Sequence, residues 1–258
     1  MITGPLVPCL VILLLARAAA SAPSGGSPAC DVPDQDVTLG TRLPHVAQRL
    51  AKDEPLRIVA IGSSSTAGAG ASDLAHPYPA RLAGYLHQRL QTSPIAVLNK
   101  GINGQIASDM VERFQRDVLD EKPDLVIWQV GANAVLRDID LSVNEVVIRR
   151  GVQRLKAAGM DVVLMDLQYT PAILERAHYE EMEQRLARVA ADEGVGLFRR
   201  FAMMHELLQQ RQVSMSDLVG SDRVHQTDFG YDCIARTLAR AILDAARMDA
   251  SDRRNDHP

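Results

Sequence analysis

Three consecutive serines, Ser63, Ser64 and Ser65, follow Gly62 at the end of the apolar run Ile58-Val59-Ala60-Ile61. The β-branched members of that run mark a buried parallel strand, and the glycine behind it lets the chain turn sharply, with Ser64 at the crest. A serine hydroxyl attacks a carbonyl only when a base takes its proton and nearby donors hold the oxyanion that forms. Near the other end of the chain, Asp222-Arg223-Val224-His225 offers a carboxylate and an imidazole three residues apart, just before a helical pattern. A carboxylate so placed orients an imidazole and stabilises its charged form. Asp222 is also suited to cap the following helix, a task open to Thr227 or Asp228 as well. Between these segments, Asn99 to Gly104 and Gly131-Ala132-Asn133 each follow a strand-like run.

At these residues the sequence resembles the SGNH (GDSL-type) hydrolase family. That family's Gly-Asp-Ser block stands here as Gly62-Ser63-Ser64 and its second-block glycine as Gly104. Its Gly-x-Asn stands as Gly131-Ala132-Asn133 and its Asp-x-x-His as Asp222 to His225, all in the family's order. The resemblance implies Ser64 as nucleophile and His225 as general base oriented by Asp222. It also implies an oxyanion hole made by the N–H groups of Ser64 and Gly104 and the side-chain amide of Asn133, with no cofactor and no metal. Two positions depart from the pattern. Ser63 stands where an aspartate usually precedes the nucleophile, and Ala134 where an aspartate often follows the asparagine. Neither aspartate makes or breaks bonds in the family, so altered turn support is expected rather than lost chemistry. The elbow of the α/β-hydrolases, Gly-x-Ser-x-Gly, fails at Thr66.

These residues need strands to carry them. Apolar runs at Arg57–Ile61, Ile95–Asn99, Leu125–Val130, Asp161–Asp166 and Val195–Phe198 alternate with helical patterns. Those patterns cover Leu43–Leu50, Ala80–Leu90, Ala107–Leu119, Ser142–Ala158, Glu175–Glu193, Met203–Arg211 and Asp228–Met248. Such alternation predicts an α/β fold with a five-stranded parallel sheet covered on both faces. The family resemblance implies the same architecture, a flavodoxin-like three-layer α/β/α sandwich. Ligands of such sheets bind beyond the carboxyl ends of the strands, where Ser64, Gly104 and Asn133 all fall. Gln168 and Tyr169, on the loop after the fourth run, stand as candidates for substrate contact.

With 258 residues, 47% hydrophobic and 23% charged, the chain suits one globular core. A net charge of −4 and 4% aromatic residues give no footprint for nucleic acid. No clustered carboxylates or His-x-x-x-His pattern suggests a metal, and no lysine-bearing phosphate loop suggests a nucleotide. Leu6 to Ala16 is apolar and is followed by Ala18-Ala19-Ala20-Ser21-Ala22, the small-residue pattern of a cleaved leader. The run is shorter than the roughly 20 residues that cross a bilayer. The expected organisation is a signal peptide over 1–22, a linker and cover segment over 23–54, a hydrolase domain over 55–248 and a polar tail over 249–258. Export to the periplasm or medium would leave Cys30 and Cys233, either paired or as two thiols with Cys233 buried. The expected function is a serine esterase acting on a small-molecule or glycan ester, O-acetyl groups of an envelope glycan included. A glycan O-acyltransferase and a non-catalytic glycan-binding or assembly protein remain open alternatives.

Overall fold

The computed structural model describes residues 1, 30, 32, 38–91, 93–209 and 213–252, with side chains to 247. Of the leader expected over 1–22 only the first residue is described, and 253–258 of the expected tail also lie outside. The five strands are β1 (Leu56–Gly62), β2 (Ile95–Gly101), β3 (Leu125–Gln129), β4 (Asp161–Met165) and β5 (Gly196–Phe198). All pairings are parallel, in the order β2-β1-β3-β4-β5. In this order the chain reverses direction across the sheet between β1 and β3, which opens a crevice at their carboxyl ends. Gly62 of β1 is level with Gly101 of β2, and Ile61 with Trp128 of β3, so three strands end side by side.

The helices are α1 (Pro44–Ala51), α2 (Ser64–Ala67), α3 (Tyr78–Arg89), α4 (Ala107–Glu112), α5 (Ala132–Leu136), α6 (Leu141–Ala157), α7 (Pro171–Leu174), α8 (Tyr179–Glu193), α9 (Arg200–Gln209), α10 (Met215–Leu218) and α11 (Asp228–Asp252). Successive strand residues point to opposite faces. Ile58 and Ala60 of β1 therefore pack with Ile127, Val163 and Phe198 against α1, α3, α9 and α11. Val59 and Ile61 pack with Val126, Trp128 and Leu164 against α4, α6 and α8. The result is the expected three-layer sandwich.

Several elements differ from the sequence pattern. The helix expected over Ala107–Leu119 stops at Glu112 and resumes as a π-helical turn, Gln115–Leu119. The helix expected over Glu175–Glu193 starts only at Tyr179, and a separate single turn, α7, forms ahead of it in what the pattern gives as loop. α11 runs through Asp252, into the segment expected as tail. The cover helix α1 lies where the pattern puts it, with Val46 buried and its N–H bonded to Asp161 Oδ2 at 3.0 Å. The Cys30 and Cys233 sulfurs are bonded across 203 positions, joining the chain ahead of the fold to α11.

Candidate active site

β1 delivers Gly62 to a point where no side chain fits. A Cβ there would lie 2.1 Å from Thr66 Oγ1 and 2.8 Å from Gln129 Oε1. Space, rather than an unusual dihedral, is what the glycine supplies. Ser63 O then accepts from Thr66 N and Ala67 N, closing the turn that starts α2 at Ser64.

His225 lies across this turn, 161 positions along the chain, with Nε2 at 2.8 Å from Ser64 Oγ. Its Nδ1 is 2.6 Å from Asp222 Oδ2, while Asp222 Oδ1 accepts from the backbone N–H groups of Val224 and His225, each at 2.9 Å. An ionised carboxylate only accepts, so Nδ1 carries the ring proton and Nε2 is left to take the serine's. Burial pushes the Asp222 carboxyl up, but the two amides and the imidazole outweigh it and hold it below its ordinary value. Capping of α11 falls to Thr227, whose Oγ1 accepts from Gly230 N at 3.1 Å. The His225 side chain is 20% exposed and that of Asp222 is 49% exposed, so the imidazole is the more sheltered of the two.

The remaining blocks are bonded to one another. Gly62 O accepts from Ile102 N and from Arg113 Nη2, both at 3.1 Å, which ties the end of β1 to the loop after β2. Gly104 in that loop has φ +77°, a left-handed conformation that suits glycine. Asn133, in the first turn of α5, donates from Nδ2 to Gln105 O at 2.8 Å. One turn later Arg137 donates to Gly104 O. One of the two Asn133 amide protons is fixed by Gln105, and the other stays available as a donor. Arg113, itself buried, also bonds Gln105 Oε1 at 2.7 Å and Asp117 at 2.9 Å. The Asp117 carboxyl is held down at about 2, chiefly by the bond from Arg116, and Arg113 adds to the effect.

Gln168 does not fit the expectation made for it. It is 2% exposed, and its Oε1 accepts from Arg200 Nη2 at 2.8 Å, so its side chain supports a buried arginine instead of meeting a ligand. Tyr169 is half-buried and packs edge-on against Phe201, with His205 beside it. Sequence reasoning missed Gln129, Arg113 and Gln105, whose only signal is a polar group inside or beside an apolar stretch. A cavity of about 440 Å³ beside α5, lined by residues including Val135, Asp138, His178 and Arg185, contains none of Ser64, Asp222 and His225. Among the described residues no group of His, Cys, Asp and Glu is arranged to hold a metal ion.

An acetylxylan esterase of Geobacillus stearothermophilus is 29% identical over 182 residues, covering 64% of this chain and 80% of that enzyme. A crystal structure of an acetylxylan esterase from the same organism matches with a TM-score of 0.63 at 25% identity, over 72% of this chain and 94% of that one. Two variants of it are described as catalytic mutants, one at a serine and one at a histidine. A two-domain esterase active on acetylated mannans shares the fold, with a TM-score of 0.68 at 17% identity over 83% of this chain and 56% of that one. The model of the non-GDSL lipase-like family matches residues 29–248, so the chain belongs to that family.

Proposed function

We propose that this chain removes acetyl groups from an acetylated glycan through an acyl-Ser64 intermediate. The chain is a carboxylic ester hydrolase of the SGNH type. The serine route is supported above all by the 2.8 Å contact between Ser64 Oγ and His225 Nε2. In this reading Ser64 Oγ attacks the ester carbonyl as His225 Nε2 takes its proton. The tetrahedral oxyanion is held by the Ser64 and Gly104 N–H groups and by Asn133 Nδ2. Collapse expels the glycan alcohol, which leaves with the proton from His225. Water then gives up a proton to His225, attacks the acyl-serine and releases acetate, and Ser64 recovers its proton.

The acetyl and glycan parts of the reading are supported by what the similar esterases act on, acetylated xylan by name in one case. Export is supported by the apolar leader pattern before Ala22 and by the Cys30–Cys233 bond, since such bonds persist in oxidising compartments. No helix of the described residues is long and apolar enough to cross a membrane.

The test is acetate release from acetylated xylo-oligosaccharides and acetylated mannan, beside acetyl, butyryl, octanoyl and lysophospholipid esters. The expected result is turnover of at least one acetylated glycan and a rate that falls from acetyl to octanoyl. Ser64→Ala should lower turnover by about 10⁴-fold or more. A preference for octanoyl or lysophospholipid esters would overturn the acetyl assignment, and acetyl transfer to an added sugar in place of water would reveal an acyltransferase.

A further inference from the structure

The turn that carries Ser64 is braced from a single atom. Gln129 ends β3, is 1% exposed, and offers its Oε1 to three donors: Ser63 N at 3.0 Å, Ser63 Oγ at 3.2 Å and Thr66 Oγ1 at 3.2 Å. Thr66 Oγ1 lies a further 3.2 Å from the hydroxyl of Tyr78, which is fully buried. A carbonyl oxygen has two lone pairs, so three donors saturate it. The donors come from the residue before Ser64 and from the second residue after it. One oxygen therefore fixes both ends of the turn while leaving Ser64 itself to His225.

We infer that Gln129 is a positioning residue for ester hydrolysis, acting through Ser63 and Thr66 to hold the Ser64 N–H and Oγ in place. The inference rests on Ser64 as nucleophile. It also accounts for the serine at 63, because the side chain that faces it is an acceptor and a serine brings a donor. An aspartate at 63 would set a carboxylate against Oε1. Turning the amide to present Nε2 would satisfy that carboxylate only by withdrawing the acceptor from Ser63 N and Thr66 Oγ1. Either way buried donors lose their partner, which costs more than the bond itself contributes. Gln129 touches no substrate in this account, so its loss acts on the acylation geometry and not on substrate affinity.

The experiment is steady-state kinetics on p-nitrophenyl acetate for the full chain and five variants, with thermal unfolding of each. Gln129→Leu, similar in size but without an acceptor, should lower kcat/KM, which reports acylation, about 10- to 100-fold. Gln129→Glu, which still offers an oxygen to the same donors, should keep kcat/KM within about fivefold of the parent. Ser63→Asp should behave like Gln129→Leu. Thr66→Val removes one donor from the far end of the turn, and should lower kcat/KM several-fold even if Gln129→Leu fails to fold. Ser64→Ala reports on the nucleophile separately. An inactive Ser64→Ala beside Gln129→Leu or Thr66→Val with parental kcat/KM would overturn the brace alone. So would a Gln129→Glu as impaired as the leucine variant. An active Ser64→Ala would remove the nucleophile reading and the brace with it.

Discussion

Asp222 decides which nitrogen of His225 is basic, and its two oxygens divide the work. Oδ1 is fixed by the backbone amides of Val224 and His225, and this leaves Oδ2 aimed at Nδ1. An asparagine in its place would keep the shape but offer N–H to the ring, and the histidine would then hold its proton on the side facing Ser64. Asp222→Asn should therefore lower kcat by about 10⁴-fold with little change in KM. A loss of less than tenfold would show that the carboxylate does not set the tautomer. The residues of this unit were legible because each sits in a short local pattern, Gly62-Ser63-Ser64 and Asp222 to His225, whose spacing survives without knowledge of the fold. Gln129 was not legible, since its partners are 63 and 66 positions away and a lone glutamine in an apolar strand does not say which donors it will meet. Gln168 was misread for the same reason. Arg200, 32 positions on, takes its amide oxygen, and nothing near Gln168 announces that cation.

The strands and the helices α1, α3, α6 and α11 followed the sequence closely, whereas α2, α5, α7 and α10 are each one turn or little more and carry too few residues for a period. α7 and the residue after it are held to the Asp222–His225 loop by the Glu175–Arg223 ion pair and the bond from Ala172 N to Arg223 O, contacts that no local pattern announces. Where β4, α8 and α9 meet, Asp166, Glu183 and the fully buried Arg200 form a charged cluster beneath the sheet's carboxyl edge. Burial, reinforced by the facing Asp166, pushes the Glu183 carboxyl far above its ordinary 4.5. Burial also pulls the Arg200 guanidinium down, with Asp166 the leading opposing influence. An acid whose folded value is raised binds its proton more tightly in the native state. Its contribution to stability is therefore full at low pH and declines as pH rises above the roughly 4.3 at which an exposed glutamate ionises. Glu183→Gln has no proton to lose, so its stability relative to the parent should grow steadily from mildly acid to alkaline pH in urea unfolding. Parallel pH profiles for the two proteins would show that Glu183 does not hold the proton.

At the scale of the whole molecule, the sheet order brings the ends of β1, β2 and β3 together, and the loops that leave them meet at one edge. The alternation of strands and helices in the sequence indicated a parallel sheet with two covered faces, and left the strand order open. What the sequence pattern could not contain is the bonding among the loops, from Gly62 O to Ile102 and Arg113, and from Asn133 to Gln105, since each bond joins segments from different strands. Those bonds tie the loops of the site to one another, and the proposed reaction there passes through a covalent ester. The most direct measurement is intact mass and peptide mapping after rapid mixing with p-nitrophenyl acetate, on the parent and on Ser64→Ala. The expected result is one acetyl group on the peptide carrying Ser64 in the parent during turnover, and none in Ser64→Ala. Acetate released at the full rate with no acetyl ever found on Ser64, or acetyl found on another residue that Ser64→Ala leaves untouched, would contradict it.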